Sequence, residues 1–141
     1  MKIFRYILLF ALLMTVATGA EAKRIQAKHL YMFGFSASFK DSVVYITDIQ
    51  DVQGAWIETK TKFLLGHEHY SAQLKDYCKE KLQENDRVCM IFFAKTQKKA
   101  EKLYLKLRKK YIGTAKRPST YEIRYLNQPD FKFEPVDMSE E

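Results

Sequence analysis

Glycine and histidine are scarce in this chain, which has 5 glycines, 3 histidines and 2 cysteines among 141 residues. It contains no glycine-rich phosphate loop, HExxH motif, CxxC pair or calcium-loop spacing. It also lacks the GxSxG and SxxK motifs that carry a nucleophilic serine. We therefore expect a protein that is not an enzyme and needs no cofactor. A hydrolase with paired carboxylates is the enzymatic alternative, because spacing in sequence does not predict spacing in space.

Long apolar runs are confined to residues 1–22. This segment begins with Lys2 and Arg5, continues with the apolar stretch Ile7–Ala17, and ends in the small-x-small sequence Ala20-Glu21-Ala22. That order is typical of a secretory signal peptide, and about 11 apolar residues are too few to span a bilayer. We expect cleavage after Ala22, export to a bacterial periplasm or the cell exterior, and no transmembrane segment in the mature chain.

About 119 residues remain after the leader, enough for one hydrophobic core but not for two. We assign residues 23–136 to a single α+β domain and residues 137–141 to a frayed acidic tail. Residues 23–28 form a polar lead-in without a clear pattern.

The stretch from residue 88 to residue 111 organises the rest of the chain. Val88–Ala94 is a run of seven apolar residues, which predicts a strand buried on both faces in the middle of a sheet. Thr96 is a candidate N-cap for a helix from about Gln97 to Tyr111. The predicted apolar face of this helix consists of Ala100, Leu103, Tyr104, Leu107 and Tyr111.

The remaining elements follow from alternating patterns and turn residues. The segments His29–Phe39 and Val43–Ile49 predict a hairpin, and Thr120–Leu126 predicts a late half-exposed strand. Ala55–Leu65 is ambiguous between strand and loop, Ala72–Gln83 predicts a first helix after the cap Ser71, and Phe131–Phe133 is at most a short strand. The predicted fold is α+β: a four- or five-stranded, mainly antiparallel sheet with two helices packed on one face, in the order β-β-(β)-α-β-α-β.

The positive charge of the protein is concentrated in the second helix. Without Lys2, Arg5 and Glu21 of the leader, the net charge of +7 becomes +6, and the segment Gln97–Tyr111 alone carries +6. The lysines on its polar arc are Lys98, Lys99, Lys102, Lys106, Lys109 and Lys110. Such a face favours an anionic partner, although a solvated surface that aids solubility is the simpler interpretation.

Cys78 and Cys89 are an even number of cysteines in a chain that we expect to be exported, which favours a disulfide. The alternative is two separate buried thiols. Trp56, Tyr121 and Tyr125 are candidate exposed aromatic contacts for a sugar or a protein, with ordinary packing as the alternative.

The only cluster with the composition of a metal site is His67-Glu68-His69, with His29 as a third histidine. Two histidines on an extended segment are fewer ligands than zinc requires. We therefore expect a polar surface loop and no metal site.

The stretch from Arg87, RVCMIFFAKTQKKAEKLYLKLRKKY, resembles the second half of the sporulation-related repeat (SPOR-like) peptidoglycan-binding domain. The similarity lies in a strand, a short turn, the helix pattern from Lys98 to Leu107, and the strand Thr120–Leu126. It covers about 40 of the roughly 119 mature residues. The resemblance implies glycan binding on the sheet face that points away from the helices.

Together these features predict a small exported binding module for an anionic or glycan partner in the cell envelope. The alternative is an accessory or structural protein that docks onto another exported protein through a sheet edge. Nucleic acid is not an expected partner, because the chain carries an export signal. The sequence does not fix the oligomeric state.

Overall fold

A computed structural model describes residues 23–139. The predicted signal peptide, residues 1–22, and the last two residues of the predicted tail lie outside the described residues. The elements are β1 (Arg24–Gln26), β2 (Tyr31–Ala37), β3 (Val43–Thr47), β4 (Gln50–Asp51), β5 (Trp56–Glu58), α1 (His67–Glu80), β6 (Val88–Ala94), α2 (Gln97–Ile112) and β7 (Glu122–Leu126). The α+β class is confirmed.

The main sheet has five strands, and β2 is its centre. One side of β2 pairs with β6 along all seven residues, and the other side pairs with β3 and then with β4. β7 joins the far side of β3 in parallel, while the other pairings are antiparallel. The described strand order is therefore β6-β2-β3/β4-β7, which places β6 at an edge.

The prediction that Val88–Ala94 is the middle strand, buried on both faces, is therefore wrong. The side chains of Val88 and Met90 are 49% and 48% exposed, and only Ile91 of this strand is buried. β2 takes the central place: it pairs on both sides, and its small residues Gly34 and Ser36 are buried along with its apolar ones. An apolar run predicts that a strand is buried, but it does not reveal whether the strand pairs with other strands on one side or on both.

The two helices lie on opposite faces of the sheet, which corrects the prediction that both cover one face. α1 packs with Met32 and Ile91 in one core cluster. α2 packs against Phe35 and Ile46 in the other. Since alternate residues of β2 point to opposite faces and both sets are buried, each face needs its own cover.

The hairpin between β2 and β3 is confirmed, with Phe35 opposite Ile46. The ambiguous segment 55–65 contains the short strand β5. β5 pairs antiparallel with β1 in a separate two-stranded sheet, so the lead-in is not without structure. Ile57 and Leu64 form a further bridge, and both side chains belong to the α1-side core.

The segment Phe131–Phe133 does not form a strand, yet both aromatic side chains are buried. The side chain of Gln50 takes the place of a neighbouring strand: its Nε2 donates 2.9 Å to the carbonyl of Phe131, and its Oε1 accepts 2.8 Å from the amide of Phe133. The described part of the tail, 137–139, is also attached, because Arg24 Nη1 donates 2.8 Å to the carbonyl of Met138.

α1 begins at His67, five residues before the predicted start. Its N-cap is Gly66, with φ +73° and no side-chain cap, so Ser71 lies inside the helix. The start is earlier because Tyr70 extends the buried row of Leu74 and Cys78 by one turn.

α2 agrees with its prediction to within one residue. Thr96 Oγ1 accepts the amide of Lys99 at 3.3 Å, as an N-cap side chain should. The helix ends at Gly113, whose φ is +79°. A Cβ there would lie 2.5 Å from the amide nitrogen of Ser119, so glycine is required at this stop.

Candidate functional site

A cleft of about 640 Å³ lies where the end of β6 meets the first half of α2. Its apolar floor comes from β6 and α2, and its rim is made of lysines. The lining residues are Lys62, Phe93, Ala94, Lys95, Lys99, Lys102, Leu103 and Lys106. We call this site the basic cleft.

Three segments bring the lysines together. Lys99, Lys102 and Lys106 recur at three- and four-residue spacing on one side of α2, so their side chains follow one line along the cleft. Lys95 comes directly after β6. Lys62 arrives from the loop before α1, where its φ of +62° and a 2.9 Å hydrogen bond from its amide to the carbonyl of Glu58 turn the chain.

The lysines of the basic cleft repel one another. Desolvation lowers the pKa of the Lys95 ammonium group, and the nearby Lys62 and Lys99 lower it further. Among the residues that the structure describes, no carboxylate lines the cleft. A bound anion would supply the missing negative charge and raise the pKa of Lys95, because it stabilises the ammonium form.

The six lysines of α2 that were predicted to face an anionic partner are all exposed. Only Lys99, Lys102 and Lys106 line the basic cleft, whereas Lys98, Lys109 and Lys110 lie outside it. Sequence reasoning missed Lys62 and Lys95, which come from other segments. The one available signal for Lys95 was its position directly after an apolar strand.

Leu103 also differs from its prediction. The helical spacing predicts a buried Leu103, but its side chain is 38% exposed and lines the basic cleft. The buried side of α2 is carried instead by Ala100, with Tyr104, Leu107 and Tyr111 packed against the sheet.

The outer edge of β6 is partly protected. His67 Nε2 donates a hydrogen bond of 3.2 Å to the carbonyl of Ile91, and the His67 ring lies 5.8 Å from the ring of Phe63. A side chain that occupies an edge carbonyl hinders pairing with another chain.

The three predicted aromatic contacts do not form one surface. Trp56 lies in the two-stranded sheet, while Tyr121 and Tyr125 lie at the β7 side of the main sheet. Both tyrosines contact α2: the Tyr121 ring is 4.9 Å from that of Tyr111, and Arg108 Nε donates 3.0 Å to the Tyr125 hydroxyl. They are 48% and 44% exposed, so their inner faces pack and their outer faces meet solvent.

His67, Glu68 and His69 belong to the first turn of α1, not to a loop. Residues two apart on a helix do not face each other, and His29 is bound 2.7 Å from Asp51 Oδ2 elsewhere. Within residues 23–139, no group of three His, Cys, Asp or Glu side chains is arranged to hold a metal ion.

Cys78 and Cys89 are both free thiols in this structure, so the predicted disulfide is not formed. They are nevertheless neighbours, one on α1 and one on β6. Interaction with Cys78 is the largest influence on the pKa of Cys89.

No known protein family, curated protein or solved structure matches this chain at a significant level. Neither helix in residues 23–139 is long and apolar enough to cross a lipid bilayer. The resemblance to the SPOR-like domain implied glycan binding on the sheet face away from the helices. Here both faces carry a helix, so that face is not free.

Proposed function

We propose that this protein is a non-enzymatic module that binds an anionic polymer of the cell envelope, glycans included, in the basic cleft. The observation that carries the proposal is the cluster of five lysines from three segments around one apolar floor. An anionic glycan or a related wall polymer has the charge to fit the rim and apolar ring or backbone faces to fit the floor.

The basic cleft has features that a charged surface serving only solubility does not need. A helix face that only aids solubility would keep its lysines apart, yet here Lys62 and Lys99 add to desolvation in lowering the pKa of Lys95. Such mutual repulsion costs free energy in the unbound protein and is relieved by an anion. Leu103 stays exposed beside them and offers an apolar contact.

We expect the triple variant Lys99→Glu, Lys102→Glu, Lys106→Glu to bind purified peptidoglycan at least about tenfold more weakly, since a local potential of one sign concentrates its counter-charged partner. The matched control is Lys98→Glu, Lys109→Glu, Lys110→Glu, which changes the same helix by the same charge outside the cleft. The control should stay within about threefold of the parent. Cosedimentation across a salt series measures both.

Equal losses in the two triple variants would mean that diffuse charge, and not the cleft, holds the polymer. Unchanged binding in the cleft variant would contradict the proposal directly. Vesicles with and without acidic phospholipid form a parallel arm. Tighter binding to the acidic vesicles than to peptidoglycan would contradict the polymer proposal and identify an acidic lipid surface as the ligand.

A second candidate function is docking of an exported partner protein, which would add an acidic extended segment to the edge of β6. The observation in its favour is that β6 pairs only with β2 within residues 23–139 and exposes Val88 and Met90. The His67 bond to the carbonyl of Ile91 weighs against it, because the edge is already partly occupied.

Met90→Lys separates the two candidates. An added lysine on the edge hinders strand addition, so binding of an acidic extended peptide should fall if edge docking is the function. Polymer binding in the cleft should be unchanged or stronger, because the variant adds positive charge. Leu105→Lys, on an exposed position of α2 outside the cleft, is the control for the added charge.

A further inference from the structure

A buried arginine organises a polar cluster between α1 and the sheet. Arg87 Nε donates a 2.8 Å hydrogen bond to the hydroxyl oxygen of Ser36, on the central strand. The Cys78 thiol donates to the same oxygen at 3.7 Å. The strand register sets Cys89 directly opposite Ser36. One serine hydroxyl is therefore the meeting point of a guanidinium group and two thiols.

The two thiols differ in access. A cavity of about 400 Å³ reaches Cys89 from solvent, and its other lining residues are Glu68, Ser71, Ala72, Lys75, Arg87 and Val88. Cys78 has no exposed surface and lies behind Cys89 on the buried row of α1. A small reagent that enters the cavity therefore meets Cys89 first.

The two thiols also differ in acidity. Interaction with Cys78 lowers the pKa of Cys89, and Ser36, Arg87 and Lys75 act in the same direction against the effect of burial. The interaction with Cys89 and burial raise the pKa of Cys78. The nucleophilic thiolate form is thus favoured on Cys89, the sulfur that the cavity exposes.

We propose that Cys89 and Cys78 form a redox-active dithiol that exchanges with an external disulfide, with Cys89 as the attacking thiol and Cys78 as the resolving thiol. The placement carries this: an accessible sulfur in a cavity lined by Arg87 and Lys75, and a second sulfur buried behind it on the helix that packs there. The inference is independent of the function proposed for the basic cleft.

The exchange balances in two steps. The Cys89 thiolate attacks one sulfur of the external disulfide, forms a mixed disulfide, and releases the first thiolate. Cys78 then loses its proton to solvent or to that thiolate, attacks the sulfur of Cys89, and releases the second thiolate. The protein loses two protons and two electrons in total, and the external disulfide takes them up to become two thiols.

The first step prepares the second. The negative charge on Cys89 is part of what raises the pKa of Cys78. Once Cys89 is in a mixed disulfide this charge is gone, while Ser36 and Arg87, which lower the pKa of Cys78, remain. Cys78 therefore becomes a better nucleophile when it is needed. The product ties the last turn of α1 to the edge strand β6.

The test treats the reduced full mature chain with glutathione disulfide and follows the products by intact mass. The parent should lose two hydrogen atoms and retain no glutathione. Cys78→Ser should accumulate one glutathione on Cys89, and Cys89→Ser should react at least about tenfold more slowly, because its remaining thiol has no exposed surface. Thermal melting confirms that each variant is folded.

A second measurement needs no variant. Brief alkylation of the native parent followed by peptide mapping should label Cys89 at least about tenfold faster than Cys78, and the two rates should converge in denaturant. Equal labelling of the native thiols would overturn the assignment of roles. A parent protein that keeps glutathione instead of closing the internal disulfide would overturn the dithiol itself.

Discussion

Replacement of Arg87 by methionine is expected to lower the free energy of unfolding by about 3 kcal/mol or more, because each buried acceptor left without a donor costs about 1–3 kcal/mol. The side chain of Arg87 has no exposed surface. Its Nη2 donates to the carbonyls of Ser36 and Val43, at 3.1 Å and 2.5 Å, and its Nε donates to the Ser36 hydroxyl. Methionine keeps much of the length but supplies no donor.

The charge of Arg87 is also compensated. Asp41 Oδ1 and Glu84 Oε2 lie 3.6 Å and 3.8 Å from Nη1, and the guanidinium carbon lies 4.8 Å from the centre of the Tyr45 ring. Nη1 itself makes no hydrogen bond within the described residues. Arg87→Lys should recover only part of the loss, since an ammonium cannot reproduce the planar fork of donors.

Urea unfolding of the reduced protein measures these changes. Arg117→Met is the matched control: Arg117 is exposed, so the same substitution there should change the free energy of unfolding by no more than about 0.5 kcal/mol. A stability of Arg87→Met within about 1 kcal/mol of the parent would show that water replaces the lost donors at these carbonyls.

Periodicity was sufficient to predict α2 and the hairpin of β2 and β3. In α2 the apolar spacing, the N-cap Thr96 and the terminal Gly113 all indicate the same helix, and the structure agrees to one residue. Apolar spacing and cap residues act over a few positions of the chain, so they can be recognised in a single sequence.

The order of the strands in the sheet could not be predicted in the same way. Val88–Ala94 is the more apolar strand, yet the centre of the sheet is β2, which contains Gly34 and Ser36. Those residues are buried because Gly34 leaves room for Leu74 and Ser36 accepts a hydrogen bond from Arg87. Both reasons depend on distant partners, which no local pattern reveals.

The candidate sites show the same contrast between features set by local sequence and features set by long-range contacts. The lysines of α2 were predicted from one helical face, but Lys62 and Lys95 join the basic cleft only through the tertiary fold. The cysteines were known as a pair of residues, while their unequal access follows from the cavity beside β6 and the buried row of α1.

Leu74→Ala is expected to lower the free energy of unfolding by about 2–5 kcal/mol, the usual range for a leucine lost from a core. Leu74 has no exposed surface and joins α1 to the core on its side of the sheet. A Cβ added to Gly34 would lie 2.6 Å from Leu74 Cδ2 and 3.2 Å from Phe133 Cζ. Gly34→Ala alone therefore overpacks the same place, at a cost of about 1–3 kcal/mol.

The double variant Gly34→Ala, Leu74→Ala should lose less stability than the sum of the single variants, with a coupling of at least about 0.5 kcal/mol. The added methyl group enters the space that the leucine vacates, so each change relieves the other. Gly34→Ala with Leu64→Ala is the control cycle, because Leu64 is equally buried but is not among the atoms nearest to Gly34. An additive result in both cycles would mean that Leu74 does not pack against Gly34. Another contact would then set the distance between α1 and β2.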